Sequence, residues 1–124
     1  MKKKIFSLSL VAILSIVGIS SVYAAESWAY ISPSKLTDTT TAINGKNQYG
    51  RFGLEVTKGS AKATLFESCN GNSFKNAHSI DIYTTTKKAS FQDYWMSNSC
   101  KYYVGINGES GTEVGVAYLK DTTN

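Results

Sequence analysis

The chain carries few side chains able to do covalent chemistry. Among 124 residues there is one histidine, His78, and two cysteines, Cys69 and Cys100. A nucleophilic triad needs a histidine to take the serine proton and an acid to orient the imidazole. Asp38, Asp81, Asp93 and Asp121 could be orienters, but no Gly-x-Ser-x-Gly elbow presents a serine to them. Glycoside hydrolysis needs two carboxylates at a set separation across a cleft. Glu55, Glu67, Asp81, Glu109 and Glu113 each stand alone in a strand-like or turn-like segment, which reads as exposed, solvating charge. Asp81 and Asp93 stand out slightly, because an acid inside a strand faces either solvent or a partner. Gly105, Gly108, Gly111 and Gly115 are spaced for a hairpin, with no helix after them to complete a phosphate loop. These residues predict no catalytic group, no cofactor and no metal site.

The cysteines are too far apart in sequence for a C-x-x-C redox pair, and a single histidine is a poor companion for a thiolate metal site. A structural Cys69–Cys100 disulfide is the expectation, worth about 3.7 kcal/mol from loop-closure entropy. That expectation needs an oxidising compartment, and the N-terminus supplies the reason for one. Lys2, Lys3 and Lys4 precede an apolar run over 5–19, and Val22 and Ala24 are the small residues before a cut. Residues 1–24 therefore read as a cleaved signal peptide and residues 25–124 as a secreted domain, extracellular or cell-wall associated. The apolar run is too short for a membrane span, and no cysteine stands at the cut to take a lipid.

Cleavage also changes the charge. The whole chain has 13 Lys and Arg against nine Asp and Glu, net +4. Removing three lysines leaves ten against nine, or +1. The exported domain is near neutrality, which argues against a nucleic-acid partner and against cationic attack on membranes.

The elements that must position any site are strands. In residues 25–124 no window of 12 or more residues keeps a helical spacing of apolar residues, while short β-favouring runs recur between Gly and Asn signals. Strands are expected at 27–31, along a Thr-rich edge at 35–43, and at 49–57 with Phe52, Leu54 and Val56 on one face. A turn at Lys58-Gly59-Ser60 separates these from a strand at 61–67. Further strands fall at 79–84 (Ile80, Ile82), at 87–95 (Ala89, Phe91, Asp93), and at 100–107 (Tyr102, Val104, Ile106). After a hairpin loop at 107–111 the last strand spans 112–119, aligning Val114, Val116 and Tyr118, and the chain frays from Asp121. Seven or eight strands in about 100 residues predict an all-β, antiparallel, jelly-roll-like β-sandwich.

The run Lys101-Tyr102-Tyr103-Val104-Gly105-Ile106-Asn107-Gly108-Glu109-Ser110-Gly111-Thr112, followed by Val114-Gly115-Val116, resembles the terminal hairpin of bacterial pre-peptidase C-terminal domains. The resemblance extends over about residues 49–119. It implies a β-sandwich and adhesion to a polymer surface, and it implies no catalytic residue. The acidic turn where calcium binds in that family is absent, since residues 59–66 contain no acid, so calcium is not carried over.

The aromatic residues hold the remaining information. Core filling accounts for Phe52, Phe66, Phe91, Tyr102 and Tyr118. Tyr103 alternates onto the other face, and Tyr94-Trp95 precedes a polar segment. Trp95 is either a plug beside the disulfide or a binding aromatic. With the loops around 70–76 and 93–99, these define a candidate binding set of Tyr94, Trp95, Tyr103, Asn70 and Asn72. The function expected is a small secreted, non-enzymatic binding protein for an extracellular polysaccharide, cell wall or protein. A secreted effector, either a bacteriocin-like toxin or an enzyme inhibitor, is the alternative, and a small hydrolase ranks last. Nothing in the pattern sets an oligomeric state.

Overall fold

The computed structural model describes residues 25–124, so the expected signal peptide lies outside the described residues. Eight strands follow in order: β1 (Glu26–Ile31), β2 (Thr37–Thr39), β3 (Ile43–Asn44), β4 (Gln48–Cys69), β5 (Lys75–Thr84), β6 (Lys88–Met96), β7 (Cys100–Gly108) and β8 (Val114–Lys120). Every pairing between them is antiparallel. The expected antiparallel β-sandwich is the fold. The Thr-rich edge is broken into β2 and β3, which lie one after the other along β7.

The organising element is β4. Sequence predicts two strands and a turn here, but residues 48–69 form one strand of 22 residues. The chain bends at the expected turn without reversing. Gly59 takes φ +103°, which favours glycine, and the β4–β8 register shifts between Val56 and Lys58. The bend has a visible cause in the sequence. Apolar positions run even through Phe52, Leu54 and Val56, then odd through Ala61, Ala63 and Leu65. A one-residue slip turns a strand over, so the irregularity lets all six point into the same interior, where all are buried.

The two halves of β4 belong to two leaves. The first half lies between β8 and β6, giving the leaf β1-β8-β4-β6. The second half lies between β5 and β7, giving β5-β4-β7 with β2 and β3 on the outer edge of β7. Between the leaves, Ala29, Ile31, Phe52, Leu54, Ala117 and Leu119 join one core with Leu65, Ile80, Ile82, Tyr102, Val104 and Ile106.

Residues 107–111 are not a hairpin loop, because β7 and β8 lie in opposite leaves. Asn107 and Gly108 still belong to β7, and residues 109–113 form an arch from one leaf to the other, anchored by Glu113. Its side chain has no solvent exposure, which corrects its reading as a solvating charge. The carboxylate accepts hydrogen bonds from the Ser60 amide (3.0 Å), the Ser110 amide (3.1 Å), the Gly111 amide (3.0 Å) and the Ser110 hydroxyl. These donors, the Ser110 hydroxyl foremost and the Ser60 amide next, lower its pKa to about 2. Glu67 is also engaged rather than solvating: the Tyr102 hydroxyl donates to it at 2.7 Å.

The faces of β8 are the reverse of those expected. Gly115, Ala117 and Leu119 point inward, while Val114, Val116 and Tyr118 point out. Backbone approach is close at the first inward position: a Cβ at Gly115 would lie 3.0 Å from the Glu55 carbonyl oxygen and in ordinary contact with Ile31 and Ile106. The chain does not fray at Asp121, which is buried.

The Cys69–Cys100 disulfide is present. It joins the last rung of the β4–β7 ladder, where the two residues lie directly opposite. The adjoining turn uses Asn70 (φ 56°) and Gly71 (φ 76°) to start the β4–β5 hairpin.

Candidate functional site

The outer face of the leaf β1-β8-β4-β6 carries most of the large exposed aromatics. Register builds it from three rungs. The first is Glu26, Lys120, Arg51 and Asp93; the second is Trp28, Tyr118, Gly53 and Phe91; the third is Tyr30, Val116, Glu55 and Ala89. Tyr49 and Trp95 form a further pair beyond the first rung.

The middle rung is a row of aromatic rings interrupted by a glycine. Trp28 and Tyr118 have ring centroids 5.3 Å apart at 41°. The Tyr118 ring lies over Gly53, where a Cβ would stand 2.5 Å from Cζ and 2.6 Å from the hydroxyl oxygen. A glycine at this position lets the ring lie down on the sheet. Beyond it Phe91 is 54% exposed, and Trp28 at the other end is 47% exposed. Trp28, Tyr118, Phe91, Val116, Glu55 and Ala89 help line a cleft of about 320 Å³.

The charged rung fixes the edges of the row. Arg51 and Asp93 are directly opposed and paired, with Nε to Oδ1 at 2.6 Å and a second contact at 3.2 Å. Hydrogen bonds from Arg51 hold the Asp93 carboxyl below the usual carboxylate range. The same guanidinium lies 3.9 Å from the centroid of the Phe91 ring, a cation–π arrangement that holds this exposed ring in place. The Trp28 indole N–H donates to Glu26 at 3.2 Å. Partial burial raises the Tyr118 phenol.

The sequence-predicted residues do not converge on one patch. Trp95 is on this face, half exposed and edge-on to Tyr49 at 5.4 Å, so it is not a buried plug. Tyr94 points the other way, half-buried against Tyr102 at 6.2 Å. Tyr103 is on the outer face of the opposite leaf, stacked on Phe66 at 4.8 Å and edge-on to Phe74 at 4.8 Å. Asn70 and Asn72 are exposed in the β4–β5 turn. Phe91, Phe66 and Tyr118 are not core residues, because cross-strand register places all three on outer faces; Phe52 and Tyr102 are buried as expected. Trp28, Tyr118 and Arg51 were missed as site residues. The one local signal for them was Gly53, a glycine inside an otherwise well-patterned strand, which marks close approach of another group.

The opposite face has a broader cleft of about 430 Å³ lined by Asp38, Thr39, Thr64, Phe66, Gly105 and Asn107. Its aromatic rings are stacked on one another and spend their faces internally, unlike those of Trp28 and Phe91.

The residues weighed for catalysis are engaged in other contacts. His78 is exposed on β5, edge-on to Phe52 at 6.0 Å. Asp38 accepts from the Tyr30 amide and pairs with Lys35, Asp81 lies 3.9 Å from Lys62, and Asp121 pairs with Lys46. None of these contacts involves His78. Glu67, Cys69 and Cys100 lie within 4.8 Å of one another, but the two sulfurs are joined and offer no thiolate.

No protein-family model matches the chain, and no curated protein matches it. Among solved structures, a Yersinia pseudotuberculosis-derived mitogen is similar at 13% identity and TM-score 0.47, over 79% of this chain and 84% of that one. TmCBM61, solved in complex with beta-1,4-galactotriose, is similar at 17% identity and TM-score 0.36, over 80% of this chain and 67% of that one.

Proposed function

We propose that the chain is a small secreted binding module and that its aromatic sheet face takes an extracellular polysaccharide. The observation carrying this reading is the middle rung, Trp28–Tyr118–Gly53–Phe91, with Tyr118 laid over a glycine. A sugar ring has an apolar C–H face and a rim of hydroxyls. Exposed aromatic faces suit the first, and the neighbouring Arg51, Asp93, Glu26 and Glu55 suit the second. The row crosses three interstrand spacings, about 14 Å, which is the reach of a short stretch of polymer rather than of one sugar. Export is supported by the N-terminal pattern and by the disulfide.

The test is retention on insoluble polysaccharides and peptidoglycan. Wild-type protein is expected to bind at least one matrix, and Trp28→Ala and Tyr118→Ala each to lose most of the bound fraction. Flow-through on every matrix, or equal retention of all three proteins, would overturn the proposal. Trp, Tyr and Arg are also the residue types that anchor protein interfaces. Growth inhibition of related bacteria by purified protein, abolished by the same substitutions, would transfer the face to the effector reading.

A further inference from the structure

The least explained polar group outside the aromatic face is the Asp121 carboxylate. It follows β8 directly and is 1% exposed. A carboxylate this deep needs positive charge beside it, because burial strips its hydration. Lys46 Nζ lies 3.0 Å from Oδ2 as an ion pair but out of hydrogen-bond geometry, so this buried oxygen has a cation beside it and accepts no hydrogen bond among the described residues. The other oxygen accepts from the backbone nitrogen of Ala25 at 3.0 Å, and the Asp121 amide returns a hydrogen bond to the Ala25 carbonyl at 3.1 Å. The Gln48 side chain donates to the Asp121 carbonyl at 2.7 Å, so the position is fixed from several sides.

We propose that the α-ammonium group of Ala25, created by processing, is a structural part of the mature fold and forms an ion pair with Asp121. The inference rests on the reading of residues 1–24 as a signal peptide. Hydrolysis of the Ala24–Ala25 amide by an export peptidase adds water across the bond, leaving a carboxylate on Ala24 and an amine on Ala25. That amine takes up a proton at neutral pH. Before the cut, the same nitrogen is a neutral amide that gives Asp121 a hydrogen bond but no charge. After it, the carboxylate lies between two cations, Lys46 and the new terminus. Two independent observations meet at one bond: the small residues Val22 and Ala24 mark it in the sequence, and the buried acid waits 3.0 Å from its nitrogen. Processing then raises the stability of the domain as well as releasing it.

The experiment has separate arms for the cut and the pairing. N-terminal sequencing of secreted protein should begin at Ala25; any other first residue would overturn Ala25 as the natural start. For the pairing, chains starting at Ala25 and at Ala24 are released from a cleavable fusion, each with Asp121 and with Asp121→Asn. The one-residue extension should lower Tm by about 5 °C in the Asp121 background and leave Tm unchanged in the Asp121→Asn background. An equal effect in both backgrounds, or none in either, would overturn the ion pair. Should Asp121→Asn fail to fold, NMR titration of the Ala25 amine in the unsubstituted chain decides: a midpoint above that of an ordinary N-terminus supports the pair, and an ordinary one refutes it.

Discussion

Substituting alanine at Gly53 separates the aromatic row from the fold that carries it. The added Cβ would stand 2.5 Å from Cζ of Tyr118, whereas carbon–carbon contacts settle at about 3.5–4.0 Å. The obstructing atoms are the far end of a surface ring, so the ring lifts by about 1 Å or more while the backbone stays. Lifting loosens its contact with Trp28, a pairing worth about 0.5–1.5 kcal/mol beyond buried area. Alanine in place of a strand glycine returns about 0.5–1 kcal/mol through the unfolded state. The two effects nearly cancel, so Gly53→Ala should move Tm by no more than about 5 °C. Retention on the polysaccharide matrix should nevertheless fall about tenfold or more, since the flat row no longer exists. The assay pairs a thermal melt with a binding isotherm on the retaining matrix. Gly105→Ala is the control: its Cβ would meet Phe66 on the opposite leaf at 3.4 Å, and binding should persist. Wild-type affinity in Gly53→Ala would refute the flat ring as the recognition element, and a collapse of Tm by about 15 °C would show that the glycine serves the fold instead.

Three further outcomes are expected. Removing the bridge with Cys69→Ser and Cys100→Ser together should cost about 3.7 kcal/mol and lower Tm by about 15 °C or more; a fall below about 5 °C would show that the bridge constrains little. Glu113 has a folded-state pKa of about 2 against an ordinary 4.5, so its contribution is complete above pH 4.5 and is lost as pH falls toward 2. Urea midpoints between pH 7 and pH 2.5 should therefore drop more steeply for wild type than for Glu113→Gln, which is already destabilised at neutrality. Burial raises the Tyr102 phenol, and its hydroxyl links Glu67 to the Ser97 amide at 2.7 and 3.0 Å. Tyr102→Phe leaves both partners unmatched and should cost about 1–2 kcal/mol in denaturant unfolding.

The sandwich was legible wherever a strand has one apolar face. Phe52, Leu54 and Val56, then Ile80 and Ile82, then Tyr102, Val104 and Ile106, all point where alternation puts them. Strand β8 was not legible, because Val114, Val116 and Tyr118 outweigh Gly115, Ala117 and Leu119 in bulk while lying outside. At Gly115 the tight neighbour is the Glu55 backbone across the β4–β8 pairing, a long-range approach that no local pattern encodes. The turn at Gly59 had the right place and the wrong consequence: positive φ bends β4 between leaves, and only the change of parity from even to odd apolar positions distinguishes a bend from a reversal. The site was less legible than the fold, for a related reason. Trp28 and Tyr118 become neighbours only because β1 pairs with β8, and Phe91 joins them only through β4. Rungs assembled from distant segments leave no trace in local spacing, so Trp95 alone among the candidate residues fell on the aromatic face.

The position of β8 has a consequence for how the chain assembles over time. It is the last strand to be made, yet it lies inside its leaf, between β1 and β4. Among the described residues, the first strand, β1, pairs in its leaf with β8 alone. A chain emerging N-terminus first must therefore hold β1, and the β8-facing edge of the first half of β4, unpaired until β8 appears. Such long-range pairing is slow, so this leaf closes only once β8 is in place.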